Sequence, residues 1–157
     1  MDPSQAILYY LQHLSVLTSR QSDQVLQEQL GIGMSQYRIL QVLQGNPSVQ
    51  QKQIASLLGQ TEASISRQVK LMQDRSMIVA EANPQNKREH LTTLLPKGER
   101  LLEVGTQVLL QYHRPGIESL SSKDQATLVK LLAQLHNAVC AVDGIEGLLH
   151  LGADDRA

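Results

Sequence analysis

A mostly α fold with one small β-hairpin is what three features of this 157-residue sequence predict. The chain has no Phe or Trp and only four Tyr, while Leu is abundant, a composition that suits helix-on-helix packing. Apolar residues recur at helical spacing over most of the length, and between residues 77 and 95 that rhythm gives way to two short extended runs around a turn-forming segment. With 41% hydrophobic and 18% charged residues and a formal net charge of -1, the chain is expected to build a real core and not to be disordered.

The elements follow in order. Pro3 suits the first turn of a helix that carries Ile7, Leu8, Leu11, Leu14, Val25 and Leu26 at a 3.5 to 3.6 residue period and stops at Gly31-Ile32-Gly33. A shorter helix contains Tyr37, Leu40 and Leu43 and ends at Gly45-Asn46-Pro47. Ser48 and Gln51 have the spacing of a capping box, so a third helix is expected to begin there, bury Ile54, Leu57 and Leu58, and stop at Gly59. Thr61 is a good N-cap for a fourth, with Ile65, Val69 and Met72 on one face and Ala63, Arg67, Lys70 and Asp74 on the other. Leu71 falls off the apolar face without an evident reason. Met77–Glu81 and His90–Leu95 then read as strands of a hairpin, with Asn83 to Arg88 as its basic tip. Pro96 opens a fifth helix with Leu101, Val108 and Tyr112 on one stripe, broken or kinked at Arg114-Pro115-Gly116. A sixth begins at Ser121 or Ser122 and presents Leu128, Leu131, Leu132, Leu135, Val139 and Val142; from Gly144 the rhythm is lost.

Three short helices followed by a two-stranded ribbon is the order of a winged helix-turn-helix, in which the third of those helices enters the DNA major groove. The charge distribution agrees. Residues 35–100 hold nine Lys/Arg and five Asp/Glu, a net of +4, while the flanks hold five basic and ten acidic residues, a net of -5. A basic middle within a neutral total points to a polyanionic partner for the middle. Arg67 can donate bidentately to guanine, Thr61 and Ser64 can reach phosphates or base edges, Gln60, Gln68 and Lys70 are their neighbours, and Lys87 and Arg88 at the ribbon tip suit a narrow minor groove.

The segments "SQYRILQVL", "QIASLLGQTEASISRQVKLMQDRSMI" and "NPQNKREHLTTLLPKGERLL", in that order, resemble the MarR family of bacterial transcription regulators, and "LSSKDQATLVKLLAQL" is similar to that family's C-terminal dimerisation helix. The resemblance spans roughly residues 30 to 140. It departs from the family at three positions: Asn86 stands where an Asp usually braces the wing arginine, Ser76 where a Gly usually follows the recognition helix, and Leu94-Leu95 where Leu-Thr usually precedes the fifth helix. The resemblance implies a homodimer in which the first, fifth and sixth helices of two chains intertwine. Ile7, Leu11, Leu14, Leu128, Leu131, Leu135 and Val139 are the candidate contacts of that hub, and the long apolar seam of the sixth helix points the same way.

The expectation is therefore a helical dimerisation hub in residues 1–32 and 96–144, a winged helix-turn-helix in 33–95 and a C-terminal tail in 145–157. The protein would be a dimeric, sequence-specific regulator of double-stranded DNA, a repressor released by a small-molecule effector, reading a pseudo-palindrome with half-sites about 34 to 36 Å apart. A winged-helix module that binds protein in place of DNA is one alternative, a small helical enzyme or carrier another, and a redox-responsive regulator acting through Cys140 a third, although Cys140 reads better as a buried structural thiol. No catalytic motif, phosphate loop or dinucleotide fingerprint is present, the five His have no metal-ligand spacing, and one cysteine builds neither a disulfide nor a Cys-based zinc site. No enzyme activity, metal or cofactor is expected. The lack of a long apolar run or signal-type N-terminus predicts a soluble, cytoplasmic protein with no membrane partner.

Overall fold

The computed structural model describes residues 2–142, so the expected tail at 145–157, the last residues of the expected hub and His150 lie outside the described residues. Six helices and a three-stranded antiparallel sheet make up the fold.

Helix α1 (Pro3–Leu30) starts where the Asp2 carboxylate accepts from the Ser4 N–H at 3.0 Å, and ends at Gly31, whose φ of 63° lets its N–H reach the Gln27 carbonyl. Its two halves differ. Ser22, Val25 and Leu26 are buried, whereas Ile7, Leu8, Leu11 and Leu14 are exposed. From the buried half the Asp23 carboxylate accepts from the Met34 N–H at 2.7 Å and so anchors the first turn of α2 (Met34–Gly45), which buries Tyr37, Ile39, Leu40, Val42 and Leu43.

The next stretch departs from the sequence expectation. Ser48 is not the cap of a helix; it stands at φ 66°, and Val49–Gln50 form strand β1. Helix α3 (Gln51–Leu58) begins after it, with the Gln53 side chain accepting from the Gln50 N–H at 3.1 Å. Its buried residues are Ile54 and Ala55, while Leu57 and Leu58 are half-buried. Two residues of strand carry no periodicity of their own, and pairing with a distant strand decides their conformation. Helix α4 (Glu62–Asp74) matches expectation: Thr61 Oγ1 accepts from the Ser64 N–H at 3.2 Å, and Ile65, Val69 and Met72 are buried. Ser76, in the place of the family's usual Gly, holds φ 56°, in the left-handed region that costs a side chain roughly 1–2 kcal/mol.

Strands β2 (Ile78–Asn83) and β3 (Asn86–Leu94) are longer than expected, and β3 lies between β1 and β2. Val49 pairs with Thr92 and Ala80 pairs with the same residue from the other side. The expected six-residue tip shrinks to Pro84-Gln85, because Asn83 pairs with Asn86 across an irregular register and its Oδ1 accepts from the Gln85 N–H at 3.0 Å. Lys87 and Arg88 are therefore strand residues just past the turn and not the tip itself.

Helix α5 (Pro96–Glu118) starts with Pro96 at its first turn, and Leu95 caps it without a side-chain hydrogen bond, as the missing hydroxyl implied. It runs through Pro115 without the expected break. Proline removes one N–H, the one that would bond the Gln111 carbonyl, and both residues are exposed, so water can take that bond. The expected stripe is also shifted. Leu101 and Val108 are half-buried and Tyr112 is exposed, while Gly98, Leu102 and Gly105 face the core. A Cβ on Gly98 would collide with the Met77 carbonyl, and one on Gly105 would lie 3.1 Å from the Tyr37 ring, so the helix docks along its smallest residues. A directed chain seals that contact: Gln41 Nε2 donates to Tyr37 Oη at 3.4 Å, Tyr37 Oη donates to Thr106 Oγ1 at 2.9 Å, and Thr106 donates to the Leu102 carbonyl at 2.8 Å. Further along α5, His113 Nε2 lies 3.0 Å from the buried Ser22 hydroxyl of α1.

Helix α6 (Ser122–Val142) opens on a reciprocal cap in which Ser121 Oγ accepts from the Asp124 N–H at 3.2 Å and donates to the Asp124 carboxylate at 2.6 Å. Leu128, Leu131, Leu132, Leu135 and Val139 are all exposed. The core draws instead on α1, α2, α3, α4, the sheet and Leu102 of α5.

Candidate nucleic-acid interface

Helix α4 presents Ala63, Arg67, Lys70 and Asp74 to solvent, as its helical wheel dictates, and Leu71 joins them at 51% exposure. Leu71 follows Arg67 by four residues and so sits beside it on one face, which the core-facing reading of leucine had obscured. Thr61 is exposed and spends its oxygen on the cap. Ser64 is half-buried and donates to Gln60 Oε1 at 3.4 Å, and Gln60 in turn lies 3.4 Å from the Ser35 hydroxyl. The Gln60–Ser64 pair thus ties the start of α4 to α2, and Gln68 is likewise half-buried.

The nine cations of residues 35–100 divide into two groups. Three hold the fold: Arg38 donates to Ser19 Oγ at 3.1 Å, Arg75 to the Gly31 carbonyl at 2.8 Å, and Lys97 to the Arg75 carbonyl at 2.7 Å. The other six, Lys52, Arg67, Lys70, Lys87, Arg88 and Arg100, are exposed and have no hydrogen bond or ion pair among the described residues. The free cations of α4 and β3 therefore stand ready for an external anion. Asn86 Oδ1 accepts from the Arg88 N–H at 3.3 Å, so the neutral residue braces the arginine through its backbone.

Between the wing and the starts of α3 and α4 lies a cleft of about 280 Å³, with Lys52, Glu62, Arg88, Glu89 and His90 among its walls. Lys52 and His90 were not singled out in the sequence. Their signal, a cation at the start of a short helix and a histidine two residues after Arg88, becomes visible only once β3 is known to be a continuous strand.

The seven candidate hub residues are all exposed on this chain, from 37% for Leu11 and Leu135 to 55% for Leu14, Leu131 and Val139. Ile7, Leu8, Leu11, Leu132, Leu135 and Val139 line an open apolar groove of about 700 Å³ between α1 and α6. Cys140 sits at its edge, half-buried and not buried as expected, with its Sγ 3.5 Å from Nε2 of His136 one turn earlier. A third concavity, about 430 Å³, lies where α1 meets α2, with Ser19, Arg20, Asp23, Ser35, Arg38 and Gln60 in its walls. Among the described residues no group of three or more His, Cys, Asp or Glu is placed to hold a metal ion, and no helix is long and apolar enough to cross a membrane.

A three-stranded sheet whose long hairpin follows a short helix pair, flanked by long helices, defines a winged helix-turn-helix protein with a helical frame. Residues 30–89 match the sequence profile of the MarR family. The chain is 23% identical over 128 residues to a protein of Thauera aromatica named as a transcriptional regulatory protein for the hcr operon, which covers 82% of this chain and 77% of that one. The fold superposes on a MarR/EmrR family transcriptional regulator from Acinetobacter sp. ADP1 with a TM-score of 0.71 and 24% identity, covering 88% and 98% of the two chains. It also superposes on the MepR protein of a S. aureus MepR–DNA complex with a TM-score of 0.67 and 21% identity, covering 83% and 96%. At these identities the superpositions establish the fold.

Proposed function

We propose that this protein is a homodimeric, sequence-specific DNA-binding transcription regulator, a repressor that a small molecule releases from its operator. The observation that carries the reading is the set of exposed cations of the winged segment that have no partner among the described residues, Arg67 and Lys70 on α4 and Lys87 and Arg88 on β3. In this reading α4 lies in the major groove, where Arg67 donates to a guanine and Lys70 to a phosphate, while Gln60, Thr61, Ser64 and Gln68 complete the contact surface at the start of the helix. Lys87 and Arg88 follow the neighbouring backbone and minor groove. A structural relative in complex with DNA supports this use of the fold. Residues 33–95 form the reader, and residues 1–32 and 96–144 form the frame.

The frame explains the apolar faces. Ile7, Leu11 and Leu14 on α1 and Leu128, Leu131, Leu135 and Val139 on α6 would be covered by the same faces of a second chain, and a twofold protein reads a pseudo-palindromic site. An effector fits the concavity at the α1–α2 junction, where Arg20 and Arg38 favour an anionic group. It acts only through its different affinity for the DNA-bound and released arrangements of the two readers. The protein works in the cytoplasm and carries out no chemical step.

Duplex binding of Arg67→Ala and Arg88→Ala tests the reading. Folded variants that bind an operator duplex as tightly as the parent would overturn this docking, and a parent whose affinity for random duplex is independent of salt would favour a protein-binding module instead.

A further inference from the structure

We propose that the cleft between the wing and the starts of α3 and α4 seats one backbone phosphate of the bound DNA, with Lys52 and His90 as its contacts, and that His90 makes this seat proton-dependent. The proposal rests on the DNA-binding reading above. Its basis is the charge of the cleft. Lys52 comes from α3, Glu62 from α4, and Arg88, Glu89 and His90 from β3. Alternation along a strand puts Arg88 and His90 on one face of β3, and Glu89 between them borders the cleft from the other face, where Gln50 and Asn83 hold it. The β2 residue opposite His90 is the uncharged Ala82; its neighbour Glu81 faces the other side of the sheet.

Two cations and two carboxylates leave the cleft formally neutral while the imidazole is neutral, and protonation of His90 gives it a net positive charge. Glu89 is held by its neighbours, accepting from Gln50 Nε2 at 2.7 Å and Asn83 Nδ2 at 3.2 Å, so its position is fixed against the wing. Glu62 has no hydrogen bond or ion pair among the described residues, and it is the charge that a phosphate entering the cleft would meet. A phosphate seated beside an imidazole favours its protonated form, so DNA binding at this seat is coupled to proton uptake. The seat is then occupied more strongly as pH falls from 8 to 6.

The test measures the salt dependence of binding to a random-sequence duplex at pH 6 and pH 8 for the parent, Lys52→Gln, His90→Gln, Glu62→Gln and the distant control Lys123→Gln. Each neutralised phosphate adds roughly 0.9 to the slope of log K against log salt. The parent and the control should have a slope about one contact steeper at pH 6 than at pH 8. In His90→Gln the two slopes should coincide, Lys52→Gln should lose about one contact at pH 6 and little at pH 8, and Glu62→Gln should reach at pH 8 the slope the parent has at pH 6. A His90→Gln protein that keeps the parent's pH difference, or a Lys52→Gln protein with the parent's slope at pH 6, overturns the seat while leaving the regulator reading intact. A parent that binds no duplex at low salt overturns both. Replacing chloride by inorganic phosphate at equal ionic strength separates the two phosphate sources: selective weakening of the parent but not of His90→Gln would make the cleft a seat for free phosphate and overturn its assignment to the DNA backbone.

Discussion

The winged segment and the pair formed by the first half of α1 with α6 are built from similar residues and end in opposite states. Leu40, Ile54, Ile65 and Met72 of the winged segment are completely buried, whereas Leu14, Leu131 and Val139 are each 55% exposed. Both regions have properly capped helices, at Thr61 for α4 and at Ser121 for α6, so local helix formation does not separate them. The difference is whether one chain supplies the covering surface. The reader closes its own core; the frame presents leucine to the outside, an apolar area far beyond the scattered residues of an ordinary surface.

The sharpest way to break that comparison is to charge the frame. Leu131→Asp combined with Leu135→Asp should leave the winged fold intact by circular dichroism yet give a monomer at micromolar concentration by light scattering, with operator binding lost beyond a single half-site. A protein that stays dimeric would show that α6 is not the seam. The reverse experiment strikes the reader: Leu40→Ala should lower unfolding stability by about 2–5 kcal/mol in denaturant titrations, because the cavity sits in a core that cannot collapse around it. Gly98→Ala should cost about 1–3 kcal/mol through the forced shift against the Met77 carbonyl, and a neutral result there would mean that α5 rides loosely on the wing. The smallest effect expected is a gain. Ser76→Gly should stabilise by roughly 0.5–1 kcal/mol, read as a raised unfolding midpoint, since glycine holds a positive φ freely.

The same contrast explains how much could be read from the sequence. The helix starts at Thr61 and Ser121 and the solvent-facing position of Arg67 were legible because caps and wheels depend on residues within one or two turns. Strand β1 was not, since Val49 and Gln50 become a strand only through Thr92 and Leu91, some forty residues away. Nor was the docking face of α5: a search for large apolar residues passes over Gly98 and Gly105, whose value is the close approach they permit. The wing cations were found by type but misplaced at the tip, because the register that pairs Asn83 with Asn86 is set between strands. Lys52 and His90 escaped for the same reason, being neighbours only in the folded cleft.

Helix α1 spans both regions as one unbroken rod of 28 residues, about 42 Å long. Its buried half grips the reader through Leu26 and the Asp23 hold on α2, while its exposed half belongs to the frame. A rod of that length is a lever. Tilting it by roughly 5° about the buried end sweeps the far tip through about 4 Å, and the same tilt worked from the tip carries α2, which Asp23 ties to it. The concavity holding Arg20 and Arg38 lies close to that pivot, so a small displacement there is magnified at the far tip.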